Sequence, residues 1–435
     1  TSSGGGASAL TLKLGADFIL QNGAYTGVQA NSTVVNSSGV ASNVVLDLNG
    51  HNFTDSTYTS TSGFTTGSAA YSISNSSGTA AKFIVPHWTP TGTVMVGNNV
   101  TLMIAGLLGV NTTESVQTTQ FATGSTLQFA SNNSNTVAVN GGTATNNIYN
   151  LTIGNTANNN FSDFRALNAG GAMRVNGDFL INQASNGNAN HMDLGWSGGT
   201  AANTMYVAGN FTDMGGTGAT SYNTNTNNFK TGLLIFNGGS TQRDVYINRD
   251  FQSALTSTGG NANIKIGESS TVTSNIRLTH NLTNTVGSIT MLKESRLNVQ
   301  NYTVTAGSLI FSDNSVSQHA TFAYTFGTTN GLITTTGNLA LNTFNLELTF
   351  DGTTWTNGNL LLFHYGTNTG GTPALGTITY NGPGTITSAG TLLNSGGNIY
   401  LQGLSVTPIP EPSTVFLLMA SFGSLIVWKL RRRKA

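Results

Sequence analysis

The main pattern along the chain is a short alternation of apolar and polar residues, which is typical of β-strands. Ile264-Lys265-Ile266, Ile276-Arg277-Leu278 and Leu297-Asn298-Val299 each place an apolar side chain at every second position. Glycine, asparagine, serine and threonine interrupt nearly every window that is long enough for a helix. The pattern therefore predicts an all-β fold built from short strands that end at Gly- or Asn-containing turns.

A loose repeat of the form apolar-x-apolar-x-x-(Asp/Asn)-apolar recurs in the middle of the chain. Its copies begin at Met173, Met205, Val245 and Ile276, at intervals of 32, 40 and 31 residues. Intervals of this size indicate a solenoid or a propeller. Because propeller blades need similar lengths, the unequal spacing favours the solenoid.

The repeat predicts a parallel β-helix, or β-solenoid, over residues 1–320. Each coil cannot bury its apolar face alone, so neighbouring coils must stack. At roughly 25–30 residues per coil, the chain is long enough for about 14–16 coils. Asparagine side chains can form ladders between successive coils, or they can serve only as turn residues, and both interpretations stay open.

Longer apolar strands are expected near the end of the body. Residues 339–350 (LALNTFNLELTF) and 360–365 (LLLFHY) lie in a segment, 321–404, that either adds further solenoid rungs or forms a small antiparallel cap. A cap would cover the exposed end of the stack. A separate sandwich is the alternative, and residues 405–412 are the expected linker.

Two stretches resemble the autotransporter-associated β-strand repeat. They are residues 46–54 (LDLNGHNFT) and residues 297–309 (LNVQNYTVTAGSL). The resemblance is short, and it implies rungs of a parallel β-helix of the kind found on bacterial surface proteins.

The body carries very little charge, which limits the partners it can bind. Only 7% of residues are charged, and the formal net charge is zero. Five of the sixteen basic residues and one of the sixteen acidic residues lie in the C-terminal tail, which leaves the body a net charge of −4. Such a surface cannot neutralise phosphates, so nucleic-acid binding is not expected.

The composition also limits the covalent and export chemistry. The chain has no cysteine, which excludes disulfides, thiolate metal sites and cysteine nucleophiles. It begins with TSSGGGASAL rather than with an apolar leader, and we expect that a signal peptide has been removed or that the chain is a fragment.

The tail combines an apolar segment with a basic cluster. Residues 415–428 carry no charge, and extended to 413–430 they would span as a helix about 27 Å against a bilayer core of about 30 Å. We therefore predict a transmembrane helix over 413–430, with a buried core helix as the alternative on length alone. The positive-inside rule keeps the basic tail, 431–435, in the cytoplasm and the body on the other side. The basic anchor residues are Lys429, Arg431, Arg432, Arg433 and Lys434.

A proline-rich stretch precedes the apolar segment. Pro408, Pro410 and Pro412 oppose a helix, because each lacks a backbone N–H and restricts the residue before it. Pro410, Glu411 and Pro412 are therefore expected to form an extended, accessible peptide outside the bilayer. Pro-Glu-Pro, a short apolar helix and a terminal arginine cluster together resemble the PEP-CTERM sorting signal of Gram-negative bacteria. The resemblance covers residues 408–435 and implies processing by an exosortase and an association with exopolysaccharide. An ordinary C-terminal anchor is the alternative.

Catalytic and metal-binding patterns are weak. Residues 195–199 (GWSGG) match the G-x-S-x-G nucleophile elbow, but a strand rather than a helix is expected to follow. The six histidines lack metal-ligand spacing, so each is expected at the surface or at a corner. Trp88, Trp196 and Trp355 can stack on sugars or lie in the core. No enzyme, cofactor or metal is predicted.

The sequence therefore predicts an exported surface or matrix-associated protein with a structural or adhesin-like role. We expect it to be held at the inner membrane in transit and then placed at the cell surface or outside the cell. A polysaccharide-binding protein is the alternative, followed by a β-helix polysaccharide lyase or hydrolase, which only fold analogy supports.

Overall fold

The computed structural model shows a chain made almost entirely of β-strands. The described residues are 10–20, 44–55, 70–90, 92–105, 112–130, 136–139, 147–154, 163–166, 172–182, 191–193, 203–214, 232–248, 262–311, 318–327, 330–350, 358–371, 373–382, 385–407, 417–422 and 429.

The strands are numbered in chain order. The first seventeen are β1 (Leu10–Lys13), β2 (Phe18–Leu20), β3 (Val44–Asp47), β4 (Phe53–Asp55), β5 (Tyr71–Ser74), β6 (Ala81–Val85), β7 (Val94–Val96), β8 (Val100–Ile104), β9 (Thr112–Glu114), β10 (Thr119–Phe121), β11 (Thr126–Phe129), β12 (Thr136–Val139), β13 (Asn147–Ile148), β14 (Asn150–Ile153), β15 (Asp163–Ala166), β16 (Ala172–Val175) and β17 (Phe179–Ile181). The remaining described strands are β18 (His191–Asp193), β19 (Asn203–Val207), β20 (Phe211–Asp213), β21 (Gly232–Phe236), β22 (Gly239–Ile247), β23 (Ala262–Ile266), β24 (Ser274–Leu278), β25 (Leu282–Met291), β26 (Arg296–Gln300), β27 (Thr303–Phe311), β28 (Thr321–Phe326), β29 (Leu332–Ala340), β30 (Thr343–Phe350), β31 (Leu360–Asn368), β32 (Ala374–Asn381), β33 (Thr385–Ser395) and β34 (Asn398–Thr407).

These strands form four sheets in which neighbours, apart from β33 and β34, are not consecutive in the chain. The long sheet has 14 strands in the order β2-β4-β6-β8-β11-β14-β17-β20-β22-β24-β26-β28-β30-β32. The five-stranded sheet is β1-β3-β5-β7-β10, the four-stranded sheet is β18-β15-β12-β9, and the eleven-stranded sheet is β13-β16-β19-β21-β23-β25-β27-β29-β31-β34-β33. Apart from the pair β33 and β34, paired strands lie two or three strands apart along the chain, an order compatible with a β-helix.

Within the long sheet the pairing is parallel throughout, and in its middle strands buried apolar residues pair with one another from strand to strand. Leu127 pairs with Leu151, Leu151 with Phe179, and Phe179 with Phe211. All four side chains are buried. Burying each such side chain stabilises the fold by about 1.5–3 kcal/mol, so the apolar column between the sheets holds the coils together.

The two stretches that resemble the autotransporter-associated repeat form the same kind of turn between two strands. The carboxylate of Asp47 accepts a hydrogen bond of 3.0 Å from the N–H of Asn49, and the side chain of Asn298 accepts one of 3.1 Å from the N–H of Gln300. Asn49 and Gln300 have φ values of 48° and 53°, in the left-handed region. In the first stretch Gly50 follows with φ 83°, a conformation that glycine adopts without a steric cost. The short motif therefore encodes a strand, a tight turn and a second strand.

The predicted repeat is in register for its first two copies but not for the last two. Met173 pairs with Met205, and Phe179 pairs with Phe211. Val245 pairs with Phe211 and so occupies the seventh position of the repeat instead of the first. The alignment predicted for the third and fourth copies, with Val245 and Ile276 at the first position of the repeat, is wrong. Alternation of apolar and polar residues identifies a strand, but it does not show which sheet the strand joins.

The C-terminal part of the body continues the parallel stacking. β28, β30 and β32 extend the long sheet in parallel, and β29 and β31 do the same in the eleven-stranded sheet. Among the described strands, antiparallel pairing is confined to β34, which pairs with β31 and with β33. The longer apolar strands at 339–350 and 360–365 are therefore parallel rungs, and the antiparallel element follows them.

Part of the tail is described. Residues 417–422 are helical, and Leu417, Leu418, Met419 and Phe422 have exposed side chains. Most of the transmembrane helix predicted over 413–430 lies outside the described residues. Within the described part of the chain, the helical residues do not form a stretch with the length and hydropathy that crossing a membrane requires.

Candidate functional site

The predicted sorting residues fall largely outside the described part of the chain. Pro410, Glu411 and Pro412 are outside it, and so is the basic tail 431–435. Lys429 is described, with a helical backbone and an exposed side chain.

The candidate nucleophile elbow, residues 195–199, is also outside the described residues, as are Trp196 and Trp355. His191 and Asp193, which lie close to it in sequence, belong to β18.

Trp88 and His87 lie in the core and not at the surface. Trp88 is fully buried, and its Nε1–H donates a 2.9 Å hydrogen bond to Oγ1 of Thr119, so of the two alternatives it takes the core position and is not available to stack on sugars. His87 is buried as well, with Nδ1 2.6 Å from Oε1 of Glu114. The second carboxylate oxygen of Glu114 accepts the backbone N–H of Trp88. The surface or corner position expected for each histidine is therefore wrong for His87.

This buried pair carries no sequence signal that could have revealed it. Glu114 ends β9 in a polar stretch, Thr112-Thr113-Glu114-Ser115, without apolar alternation. One carboxylate oxygen of Glu114 is hydrogen-bonded to His87, 27 residues earlier in the chain, and the other accepts from the backbone N–H of Trp88, 26 residues earlier. Because every polar atom named here has a partner, the pair acts as a structural link between two coils.

A cluster of polar side chains covers the outward face of the long sheet. Gln242, Asn275 and Arg296 occupy paired positions on β22, β24 and β26. Arg296 donates to the carboxylate of Glu347 through Nε and Nη2, both at 2.9 Å, and through Nη1 to Oδ1 of Asn275 at 3.1 Å. Asn381 adds a 2.8 Å hydrogen bond to the same carboxylate. We call these five residues the Arg296 cluster.

A second ion pair lies beside the Arg296 cluster on the same outward face. Arg277 donates from Nε and Nη2 to the two carboxylate oxygens of Asp244, both at 2.7 Å. The hydrogen bonds that Arg277 donates to Asp244 raise the pKa of Arg277. Both side chains are more than a third exposed, so this pair contributes little stability and mainly fixes the orientation of the polar groups.

The chemistry available on this face is hydrogen bonding. The carboxylates of Asp244 and Glu347 are both held by guanidinium groups. Amide donors and acceptors alternate with these fixed charges over several rungs, a pattern that suits the hydroxyl groups of a carbohydrate. Within the described ranges, no group of three or more metal-ligating side chains is close enough to hold an ion.

The outward face of the eleven-stranded sheet carries a comparable arrangement. Arg174 lies over the ring of Tyr206, 3.9 Å from its centroid, and donates to Glu268 through Nη1 at 2.9 Å. Asn237 donates to the same carboxylate at 2.9 Å. The hydrogen bond from Arg174 is the main reason that the pKa of Glu268 is lowered, although partial burial opposes it.

Comparison with known proteins gives no relative. No family model matches this chain, and neither the curated proteins nor the solved structures include a significant match.

Proposed function

We propose that this chain is an exported bacterial surface or matrix-associated protein with a structural, adhesin-like and non-enzymatic role. Its body is a parallel β-solenoid, and its tail is a PEP-CTERM-type sorting signal that an exosortase processes. The protein is held in the inner membrane by residues 413–430 during transit and is then placed at the cell surface or released.

The observation that carries this proposal is the three-part order of the tail. Pro410-Glu411-Pro412 comes first, an apolar segment follows, and Lys429 with the basic residues of 431–435 comes last. An extended peptide next to a bilayer is accessible to a membrane enzyme, and the arginines oppose transfer across the membrane.

The body supports the same proposal. Fourteen parallel strands in one sheet form an elongated stack, and the body carries few charges. Stacked repeats of this kind give long, regular surfaces that suit a structural or binding role more than a small-molecule site.

Replacing Pro410, Glu411 and Pro412 together by alanine tests the sorting step in cells. We expect the full-length protein to accumulate in the inner-membrane fraction, whereas the wild type is shortened and leaves that fraction. A matched triple alanine variant at exposed body positions Thr377, Thr379 and Asn381 should be processed like the wild type. Normal processing of the first variant would contradict the proposal.

A second function, polysaccharide binding, is favoured by the Arg296 cluster. A glycan array probed with the full chain tests it. We expect Gln242→Ala and Asn275→Ala to weaken any signal several-fold, and Thr271→Ala, at an exposed turn residue outside the Arg296 cluster, to leave it unchanged. The absence of a signal on neutral and acidic glycans would rule this function out.

A further inference from the structure

The C-terminal end of the body is a layer of strands with free edges. Among the described strands, β32 ends the long sheet and pairs only with β30, while β33 ends the eleven-stranded sheet and pairs only with β34. β33 lies two strands beyond β31, whereas β32 lies one strand beyond β30. The end of the stack is therefore formed mainly by β33, with β32 set back by one strand.

This end of the body carries no ionic side chains. No Asp, Glu, Lys or Arg occurs in residues 352–410, a stretch that contains β31, β32, β33 and β34. The outward faces of the two large sheets, by contrast, carry ion pairs such as Arg296 with Glu347 and Arg174 with Glu268. Because ions resist transfer out of water, the uncharged end can approach a surface of low polarity at less cost than the sides can.

The apolar side chains of the last layer are only partly covered. Those that pack against the core are Leu375, Ile378 and Tyr380 of β32, and Ile386 and Leu392 of β33. One strand earlier, Leu346 pairs with Ile378 and Leu348 with Tyr380, and both leucines are buried. A partly exposed apolar layer of this kind marks a contact with a membrane or with another protein.

Tyr380 joins the two terminal strands and suits the boundary between lipid and water. Its hydroxyl donates a 2.6 Å hydrogen bond to the carbonyl oxygen of Ala389, so β32 is tied to β33. The ring belongs to the partly covered apolar layer. An apolar ring with a polar tip is the combination that places tyrosine at membrane interfaces.

The chain leaves the body at this same end. β34 ends at Thr407, which pairs with Thr385, the first residue of β33. Residues 408–412 then separate the body from the proposed membrane segment 413–430. Even when fully extended, the chain from Thr407 to Ser413 spans at most about 20 Å. Insertion of the segment therefore brings the end of the stack next to the bilayer, which favours lipid over a protein partner.

We propose that the C-terminal end of the stack docks on the phospholipid surface, so that the body stands upright on the membrane. β33 and the partly exposed apolar side chains of β32 make the contact with the lipid headgroup region. The long sheet has 14 strands, so at about 4.8 Å per strand its far end stands roughly 60 Å from the bilayer. The proposal rests on the proposed function, because it needs the membrane segment 413–430.

Single cysteines test this contact, since the chain has no cysteine of its own. Ser388→Cys and Thr391→Cys place a fluorescent label at exposed positions of β33. Gln120→Cys, at an exposed position of β10, is the matched control, because β11 of the adjoining turn lies about 40 Å from β32 along the long sheet. Circular dichroism checks that each labelled variant keeps the wild-type fold, and the two β33 positions replace each other if one does not.

The labelled full-length chains are reconstituted in phosphatidylcholine vesicles, with and without lipid that is brominated in the upper part of its acyl chains. Brominated lipid quenches only labels that touch the bilayer. We expect the β33 labels to lose a large part of their fluorescence and the Gln120 label to lose none. Because the docking surface is uncharged, the quenching should be the same at low and at high salt.

A charged variant separates docking from mere tethering by the tail. Ala389→Glu combined with Thr391→Glu adds two carboxylates at exposed positions of β33, and the quenching of a label at Ser388 should then fall to the level of the control label. Gln120→Glu adds a carboxylate far from the bilayer and should leave the quenching at Ser388 unchanged.

The outcomes distinguish failure of the docking from failure of the proposed function. A chain that does not float with the vesicles would overturn the membrane segment and the docking together. A chain that floats while its β33 labels stay unquenched, or are quenched only at low salt, would overturn the docking alone. Quenching of the Gln120 label as well would show that the body lies on its side. A spectral shift of the β33 labels without quenching would indicate a protein partner, such as a second copy, in place of lipid, and either result would overturn the upright arrangement on lipid.

Discussion

Oδ1 of Asp178 accepts a 2.8 Å hydrogen bond from the backbone N–H of Asn210, one coil further along the chain. The same contact joins Asn150 to the N–H of Asp178 and Asn210 to the N–H of Asp244, both at 2.9 Å. The three contacts span 28, 32 and 34 residues. Each side chain therefore fixes the start of the next coil's strand, while the length of the intervening chain is free to vary.

Removing one member of this ladder should weaken the stack locally. Asn210→Ala removes the acceptor for the Asp244 N–H, and we expect a loss of about 1 kcal/mol in the free energy of unfolding, measured by urea denaturation. Asp178→Asn keeps a side-chain oxygen at the equivalent position and should stay close to the wild type. Equal losses in both variants would show that the acceptor is not what matters.

The ladder could be predicted only in part. The repeat marked Asp178 and Asn210 as equivalent positions, and the structure confirms this. Interaction between side chains was the expected form of the ladder. In the structure these side chains mostly accept hydrogen bonds from backbone N–H groups. Asn210 Nδ2 also donates a hydrogen bond of 3.1 Å to Asp178. Whether a side chain bonds to a backbone N–H or to another side chain depends on how closely the backbones of adjacent coils approach. The residue types do not specify this distance.

The backbones of two adjacent coils approach closely just before Asn210, and this explains the glycine at position 209. A Cβ atom added at Gly209 would overlap the carbonyl group of Gly177 in the preceding coil. We expect Gly209→Ala to cost about 1–3 kcal/mol of stability. Gly78→Ala is the matched control, since an added Cβ there meets nothing within 4 Å, and its melting temperature should be close to that of the wild type.

The aromatic column should be the most sensitive part of the core. Phe211 is fully buried and lies edge-on to Phe179, with ring centroids 5.0 Å apart. Phe211→Ala should reduce the free energy of unfolding by about 3–5 kcal/mol, because it removes the buried ring and leaves a cavity. Phe211→Leu should cost clearly less. Similar small effects for both variants in chemical denaturation would contradict the packing described here.

The ion pair on the eleven-stranded face predicts a pH dependence. The pKa of Glu268 in the folded state is below its ordinary value of 4.5, chiefly because Arg174 donates to its carboxylate. Its contribution to stability is therefore complete above the unfolded pKa and is lost as the pH falls through the lower folded value. Glu268→Gln should flatten the decline of the denaturation midpoint between about pH 5 and 3. Glu294→Gln, on an exposed turn, removes a carboxylate elsewhere and serves as the control.

Other parts of the fold show why sequence reasoning stops where it does. The in–out alternation predicted strands and core residues such as Ile276 and Leu297, both of which are buried. It could not assign Val245 to its position in the repeat, because strands of different sheets show the same alternation. Nor could it reveal the buried contact between His87 and Glu114, which depends on which coils are adjacent.

Protease treatment of intact cells tests the central claim most directly. If residues 413–430 lie in the membrane with the basic cluster inside, the whole body is outside the cytoplasm, and so a protease added to intact or outer-membrane-permeabilised cells should degrade it while a cytoplasmic marker survives. A body that stays intact after permeabilisation, and is degraded only when the inner membrane is broken, would contradict the account.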